Sequence, residues 1–198
     1  MRDRELFLDW YRLMDSKHDP RRAEGAVKID TEDAWRFNEE GYGIFWAVNE
    51  FDGARRKENL SRIMAWAIDL DSGTKESQQA RIDASPLVPS MITEVKQGYH
   101  VYWAVRGTVT LEEWGEIMKR LLAFFDADPN AILITQLLRV PGFWHQKDPS
   151  DPFLVKMLHQ SYAEYTAEQM LRFFPEAPSE ERQTYGPKGA PARKAPLS

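Results

Sequence analysis

The chain of 198 residues contains no cysteine. Disulfides, thiolate metal sites and a cysteine nucleophile are thereby excluded, and a reducing, cytoplasmic setting is the expectation. Long apolar runs are also missing. No stretch approaches the roughly 18–20 uninterrupted apolar residues that a membrane span requires, so no membrane partner is expected. The opening residues, Met1-Arg2-Asp3-Arg4-Glu5, are charged and have no apolar region behind them, so they give no sign of a secretory leader. There is no excess of positive charge: 26 Lys and Arg stand against 31 Asp and Glu, for a net charge of -5. A general nucleic-acid binder usually carries a basic footprint. Any such binding must therefore rest on local clusters, such as Arg55, Arg56, Lys57 and Arg62. Histidine is scarce. His18, His100, His145 and His159 are not closely spaced, which argues against a paired-histidine relaxase centre. No internal repeat is present.

What is there is globular. The chain is 42% hydrophobic and 29% charged, enough to bury a core in one domain or one domain with two lobes. Leu6, Trp10, Leu13 and Met14 have helical spacing and predict a helix within residues 4–17. Thr31, Glu32 and Asp33 read as the cap and acidic first turn of a second helix ending near Gly41. Residues 43–48 are aromatic and β-branched, a strand. Residues 49–59 are polar, with Asp52-Gly53 as a turn. Residues 63–70 read as a buried strand ending in acid. Residues 76–84 predict a short polar helix. Residues 91–95 and 99–105 flank Lys96-Gln97-Gly98 as a hairpin. Residues 111–125 form the clearest helix, capped by Thr110, with Leu111, Trp114, Ile117, Met118, Leu121, Leu122 and Phe125 on one face. Residues 153–159 read as a strand and 165–174 as a final helix. The fold class is therefore α+β (mixed α/β), with the domain spanning residues 1–175. From residue 176 onward, prolines, glycines and alanines without periodicity predict a flexible linker or tail, suited to tethering a further domain.

Five segments carry chemistry-bearing residues. In Trp66-Ala67-Ile68-Asp69-Leu70-Asp71, strand alternation puts Asp69 and Asp71 on one face. Two carboxylates so close repel unless a cation lies between them, and Mg²⁺ or Mn²⁺ suits carboxylate oxygen. An acidic strand end facing solvent is the plainer alternative. His100 stands on an otherwise apolar and aromatic strand. It is either a core histidine or a phosphate or metal-orienting contact. Asp126-Ala127-Asp128-Pro129 follows the long helix, either as an ordinary helix-ending loop or as the source of a third carboxylate. Arg139, His145 and Lys147 surround a Pro-Gly turn and can donate to phosphate, unless they are simply solvated loop charges. Arg55 and Arg56 lie among amides and aromatics in a loop that suits a nucleic-acid contact as well as it suits solvent.

Taken together these residues resemble the archaeo-eukaryotic primase superfamily, in particular the primase-polymerase domains of phage and plasmid replication proteins. Its three motifs look like Ile68-Asp69-Leu70-Asp71, Gly98-Tyr99-His100 and Asp128. Val48, Asn49, Asp52, Gly53 and Arg56 match a further segment reading Val-Asn-x-x-Asp-Gly-x-x-Arg. Arg139, Pro141, Gly142, Phe143, His145 and Lys147 match Arg-x-Pro-Gly-Phe-x-His-x-Lys in full. The resemblance spans about residues 41–152. Two departures stand out. Gly98 replaces the Ser or Thr of small-x-His. Residues 130–136 lack the acidic residue and arginine that relatives often carry there, which leaves Asp126 as a substitute for Asp128.

The resemblance implies a two-lobed domain with an RNA-recognition-like half. It implies template-directed synthesis from nucleoside triphosphates (NTPs or dNTPs) on single-stranded DNA with two Mg²⁺ or Mn²⁺ ions. By position, Asp69, Asp71 and Asp128 would be metal ligands and His100 would contact the nucleotide phosphates. Arg139, His145 and Lys147 would contact triphosphate or template, and Arg55 and Arg56 would contact nucleic acid. Such domains commonly precede a helicase, which the tail would tether. Two other readings compete: a two-metal nuclease built on the same carboxylates, and a non-catalytic origin-binding module with a structural acidic strand.

Overall fold

The computed structural model describes residue 7, residues 9–128 and residues 132–176. The chain runs through β1 (Trp10–Met14) and β2 (Val27–Ile29). A 3-10 turn at Thr31–Asp33 leads into α1 (Ala34–Glu39) and then β3 (Tyr42–Ala47). A small hairpin, β4 (Glu50–Phe51) with β5 (Leu60–Arg62), precedes β6 (Ala65–Leu70). Next come α2 (Lys75–Asp83), β7 (Met91–Glu94), β8 (Tyr99–Val105) and α3 (Leu111–Phe124). The remaining elements are β9 (Leu137–Arg139), β10 (Trp144–His145), β11 (Phe153–Leu154), β12 (Lys156–Gln160), β13 (Glu164–Tyr165) and α4 (Ala167–Phe173).

Two larger sheets result. The first is four-stranded and antiparallel, in the order β2-β1-β3-β9. The second is five-stranded. β8 lies between β7 and β6, β12 pairs with the outer edge of β7, and β13 joins β8 in parallel. Strand alternation splits β6 and β8 between two cores. Trp66, Ile68 and Leu70, with Tyr99, Val101 and Trp103, pack against α3 and α4. Ala65, Ala67 and Tyr102 turn the other way, onto Ile44, Trp46, Val48 and Leu138 of the first sheet and its flanks. The alanines leave room for these aromatics, and the Trp46 indole N–H donates to the Tyr102 hydroxyl at 3.2 Å. The two sheets therefore face each other across one apolar layer, with the helices α3 and α4 on the far side of the second. Burial on both faces explains why β6 reads as an almost continuous apolar run.

Most of the expected elements are present, and the class is α+β. The long helix has its cap: the Thr110 hydroxyl accepts from the Glu113 N–H while Glu113 reaches back to the Thr110 N–H. Three expectations need correction. The helix expected within residues 4–17 is instead strand β1 over residues 10–14, and residues 4–6 and 8 lie outside the described residues. Pairing with β2 on one side and β3 on the other overrides the local spacing, because it satisfies both backbone edges at once. The cap expected around Thr31 is not made by a side chain. Asp33 gives its carboxylate to Arg36 at 3.0 Å instead. The final helix starts two residues later than expected, because Tyr165 is taken by β13. The tail expected from residue 176 lies, from 177 onward, outside the described residues. Among the described residues, no helix is long and apolar enough to cross a membrane.

Candidate functional site

Asp69 and His100 are direct cross-strand partners on β6 and β8, on the face turned toward the first sheet. His100 is buried (3% exposed), and its Nε2 lies 3.6 Å from Asp69 Oδ1, too far for a hydrogen bond. Its Nδ1 also has no hydrogen-bond partner. Burial, helped by the charge of Arg139, pushes the imidazole pKa down to about 3, so the ring is neutral. Burial pushes the Asp69 carboxyl the other way, up to about 6, and Arg139 offsets part of that rise. The pair is thus not an ion pair. It is a half-buried carboxylate, 39% exposed, beside a buried neutral imidazole, both with capacity for a ligand. Asp71 follows the last residue of β6 and is exposed.

The local backbone explains Gly98. A Cβ there would fall inside the Leu70 carbonyl oxygen and within 2.5 Å of Gln78 Oε1. Neither Ser nor Thr fits, so the departure from small-x-His follows from how closely β8 approaches the end of β6. Gln78 of α2 is fully buried and donates to the carbonyls of Ser72 at 3.1 Å and Gln97 at 3.3 Å. One amide therefore holds the acidic strand end to the start of the histidine strand.

The third carboxylate is approached but not gathered in. Arg81 donates to the carbonyls of Phe125 (2.6 Å), Asp126 (3.2 Å) and Ser72 (3.1 Å). It thereby staples the loop after α3 to the segment after Asp71. The Asp126 side chain is almost fully exposed, 3.7 Å from Arg81, on a backbone with φ of 49°. Asp128 is exposed as well. Among the described residues, no three His, Asp or Glu are clustered to hold a metal ion. The structure thus brings Asp69 and His100 together and leaves Asp128 outside that pair.

Arg139 lies at the end of β9 and forms a two-pronged bond with Asp15: Nη1 to Oδ2 at 3.0 Å and Nη2 to Oδ1 at 2.6 Å. Its guanidinium also lies over the Phe45 ring at 4.7 Å. His145 has no hydrogen-bond partner at either ring nitrogen, and burial followed by the charge of Arg139 lowers its pKa to about 4. The charges of Lys147 and Lys96 act on the same ring. The charges of Arg139 and Lys147 thus both bear on His145, and that of Arg139 also bears on Asp69 and His100.

The basic loop divides. Arg55 is turned inward, donating to the Thr135 carbonyl and lying over the Tyr11 ring at 5.3 Å, while Arg56 is exposed. Asn49 is buried. It donates to the Ile134 carbonyl at 3.0 Å and accepts from the Met64 N–H at 2.9 Å, so its place in the motif is structural. Sequence reasoning missed Asp15, Gln78, Arg81 and Lys96. None of them carries a local signal, since only burial and partners give them meaning.

No protein-family model and no curated protein matches this chain. Solved structures do. The archaeo-eukaryotic primase (AEP) domain of the cyanophage S-2L primase-polymerase matches with a TM-score of 0.67 at 18% identity, over 86% of this chain and 90% of that one. Primase RepB′ matches with a TM-score of 0.58 at 14% identity, over 83% of this chain and 56% of that one. The catalytic domain of primase RepB′, solved in complex with initiator DNA, gives 0.55 at 15%, over 89% and 90%. The chain therefore has the fold of these primase domains.

Proposed function

We propose that this chain is a DNA-dependent primase-polymerase that joins nucleotides from NTPs or dNTPs on a single-stranded DNA template. The observation that carries the reading is the Asp69–His100 pair, a half-buried carboxylate beside a buried imidazole on neighbouring strands of a primase fold. The donor set fits a divalent cation: a carboxylate destabilised by burial is relieved when a positive ion joins it. Asp69 and Asp71 would hold Mg²⁺ or Mn²⁺, with Asp128, or Asp126 in its place, as the third carboxylate for a second ion. The chemistry supplied by a bound pair is a lowered pKa at the primer 3′-hydroxyl and a stabilised leaving group.

The chain's own residues do the rest. His100, neutral at working pH, can donate a hydrogen bond to a phosphate oxygen without competing with the metal for charge. Arg139, His145 and Lys147 would receive the triphosphate, with Arg139 able to offer paired donors to its oxygens. Arg56 is exposed for a backbone phosphate of the template, whereas Arg55 is spent on the fold. The tail would lead to a helicase, as a domain or a separate protein.

The test is primer extension and de novo synthesis on single-stranded DNA with Mn²⁺ or Mg²⁺, comparing wild type with Asp69→Ala/Asp71→Ala. Labelled product from wild type alone supports the reading. Intact template and no product from wild type under any metal or nucleotide would overturn it in favour of a binding module. Shortened template would overturn it in favour of a nuclease.

A further inference from the structure

Asp15 has no place in the motifs, yet it is among the most buried charged groups in the molecule, at 1% exposure. Its carboxylate makes three hydrogen bonds. Two come from the Arg139 guanidinium and the third from the Gln146 backbone N–H at 2.7 Å. The same two oxygens therefore grip both ends of the 139–146 segment, where the charge of Arg139 bears on His145 and His100. The sequence concedes space for this. A Cβ on Gly43 would lie 2.6 Å from both Arg139 Nη1 and Asp15 Oδ1. No other residue can occupy that position while the fork is in place.

A buried ion pair is a poor device for stability alone. Desolvating two charges offsets most of their attraction, and apolar pairs of similar size often serve as well. Its advantage is geometric. The fork fixes the plane and direction of the guanidinium, and it uses only two of the five N–H donors.

We propose that Asp15 is a positioning residue for triphosphate binding, holding the Arg139 guanidinium and the 139–146 loop in the orientation that receives the phosphates. The proposal rests on the nucleotide-binding reading of Arg139 above. Asp15 itself touches no substrate and acts through Arg139.

The experiment titrates the full chain with a fluorescently labelled dNTP in Mn²⁺ and measures KM and kcat for primer extension. It compares wild type, Asp15→Asn, Arg139→Gln and the double variant, with folding checked by near-UV circular dichroism. Asp15→Asn is expected to weaken binding about 10- to 100-fold, in line with loss of a charge-assisted hydrogen bond. KM should rise by a similar factor while kcat changes less. The double variant should bind no more weakly than Arg139→Gln alone, since both changes remove one interaction. A folded Asp15→Asn that binds like wild type, or losses that add in the double variant, would overturn the proposal and leave Asp15 a structural ion. Should Asp15→Asn not fold, Arg139→Lys replaces it. Lysine keeps the charge but cannot make the fork, so undiminished binding by that variant also overturns the proposal. A wild type that binds no dNTP would sink the functional reading together with this one. An effect of Arg139→Gln without one from Asp15→Asn sinks this one only.

Discussion

Asp69 and His100 face each other across β6 and β8 at 3.6 Å and do not bond. Their environment drives both toward the uncharged form, so the fold carries an electrostatic cost there that a cation is suited to relieve.

Asp69→Asn should therefore stabilise the chain in metal-free buffer at neutral pH. Burial raises the Asp69 pKa from 3.8 to about 6, so the folded chain keeps its proton where the unfolded chain has lost it. The stability this proton supports is fully present below about pH 4 and is lost as pH rises through about 6. The variant should melt above wild type near pH 7, and the two should converge below pH 4. Adding Mn²⁺ should raise the melting temperature of wild type more than that of the variant. A difference between the two that does not vary with pH would contradict this account.

His100 has the opposite sign. Its folded pKa is depressed from 6.5 to about 3, so acid protonates the unfolded chain first. Stability from this group is present above about 6.5 and is lost as pH falls toward 3. His100→Gln should flatten the acid side of the stability profile while abolishing extension. Chemical denaturation across pH 4 to 7 reads the first effect, and the primer assay reads the second.

Gly98→Ala should be among the most damaging single substitutions in the chain. The new methyl meets the Leu70 carbonyl, which is held in the β6 backbone and cannot move alone. Overpacking typically costs about 1–3 kcal/mol and more where backbone must shift. Urea denaturation should show a loss at or above the top of that range. A loss near zero would mean that β6 and β8 separate more easily than their pairing suggests.

Arg81→Met should test the staple between the acidic strand and the loop after α3. Met keeps much of the aliphatic stem but leaves the carbonyls of Ser72, Phe125 and Asp126 without their shared donor. Extension should need higher Mn²⁺ to reach half its maximal rate, with wild-type KM for nucleotide. An unchanged metal requirement would show that this loop does not contribute to the metal site.

The sequence was most legible where one principle dominated locally. The amphipathic stripe and capping box of α3 and the hairpin of β7 and β8 are examples, since spacing and turn chemistry there agree with the tertiary structure. It misled at β1, whose residues Trp10, Leu13 and Met14 imitate a helical face although the strand puts Trp10 and Met14 on one side and Leu13 on the other, each at least half-buried. Asp69 and His100 were legible as motif members. That burial pushes the Asp69 pKa up and the His100 pKa down was not, because desolvation is a property of the folded environment. Arg55 matched a nucleic-acid pattern and turned out to brace Thr135 and Tyr11. Asp15 was silent, since its partners Arg139 and Gln146 come from the other end of the domain.

The first sheet is assembled from distant parts of the domain, with β9 pairing along the outer edge of β3 only after β6, β7 and β8 of the second sheet have been made. During synthesis Phe45, Trp46 and Ala47 therefore wait with one hydrogen-bonding edge uncovered, the condition in which nascent chains stick to one another. The local hairpin of β7 and β8 can close early, whereas the edge formed by β9 carries the high contact order of the fold. Pulse-labelled hydrogen exchange should find the amides of β8 protected before that of Val48, which donates to the Gln136 carbonyl on the β9 side. A ribosome stalled before residue 137 would hold an aggregation-prone fragment, and Arg139, whose charge bears on Asp69 and His100, arrives on the strand that seals the exposed edge.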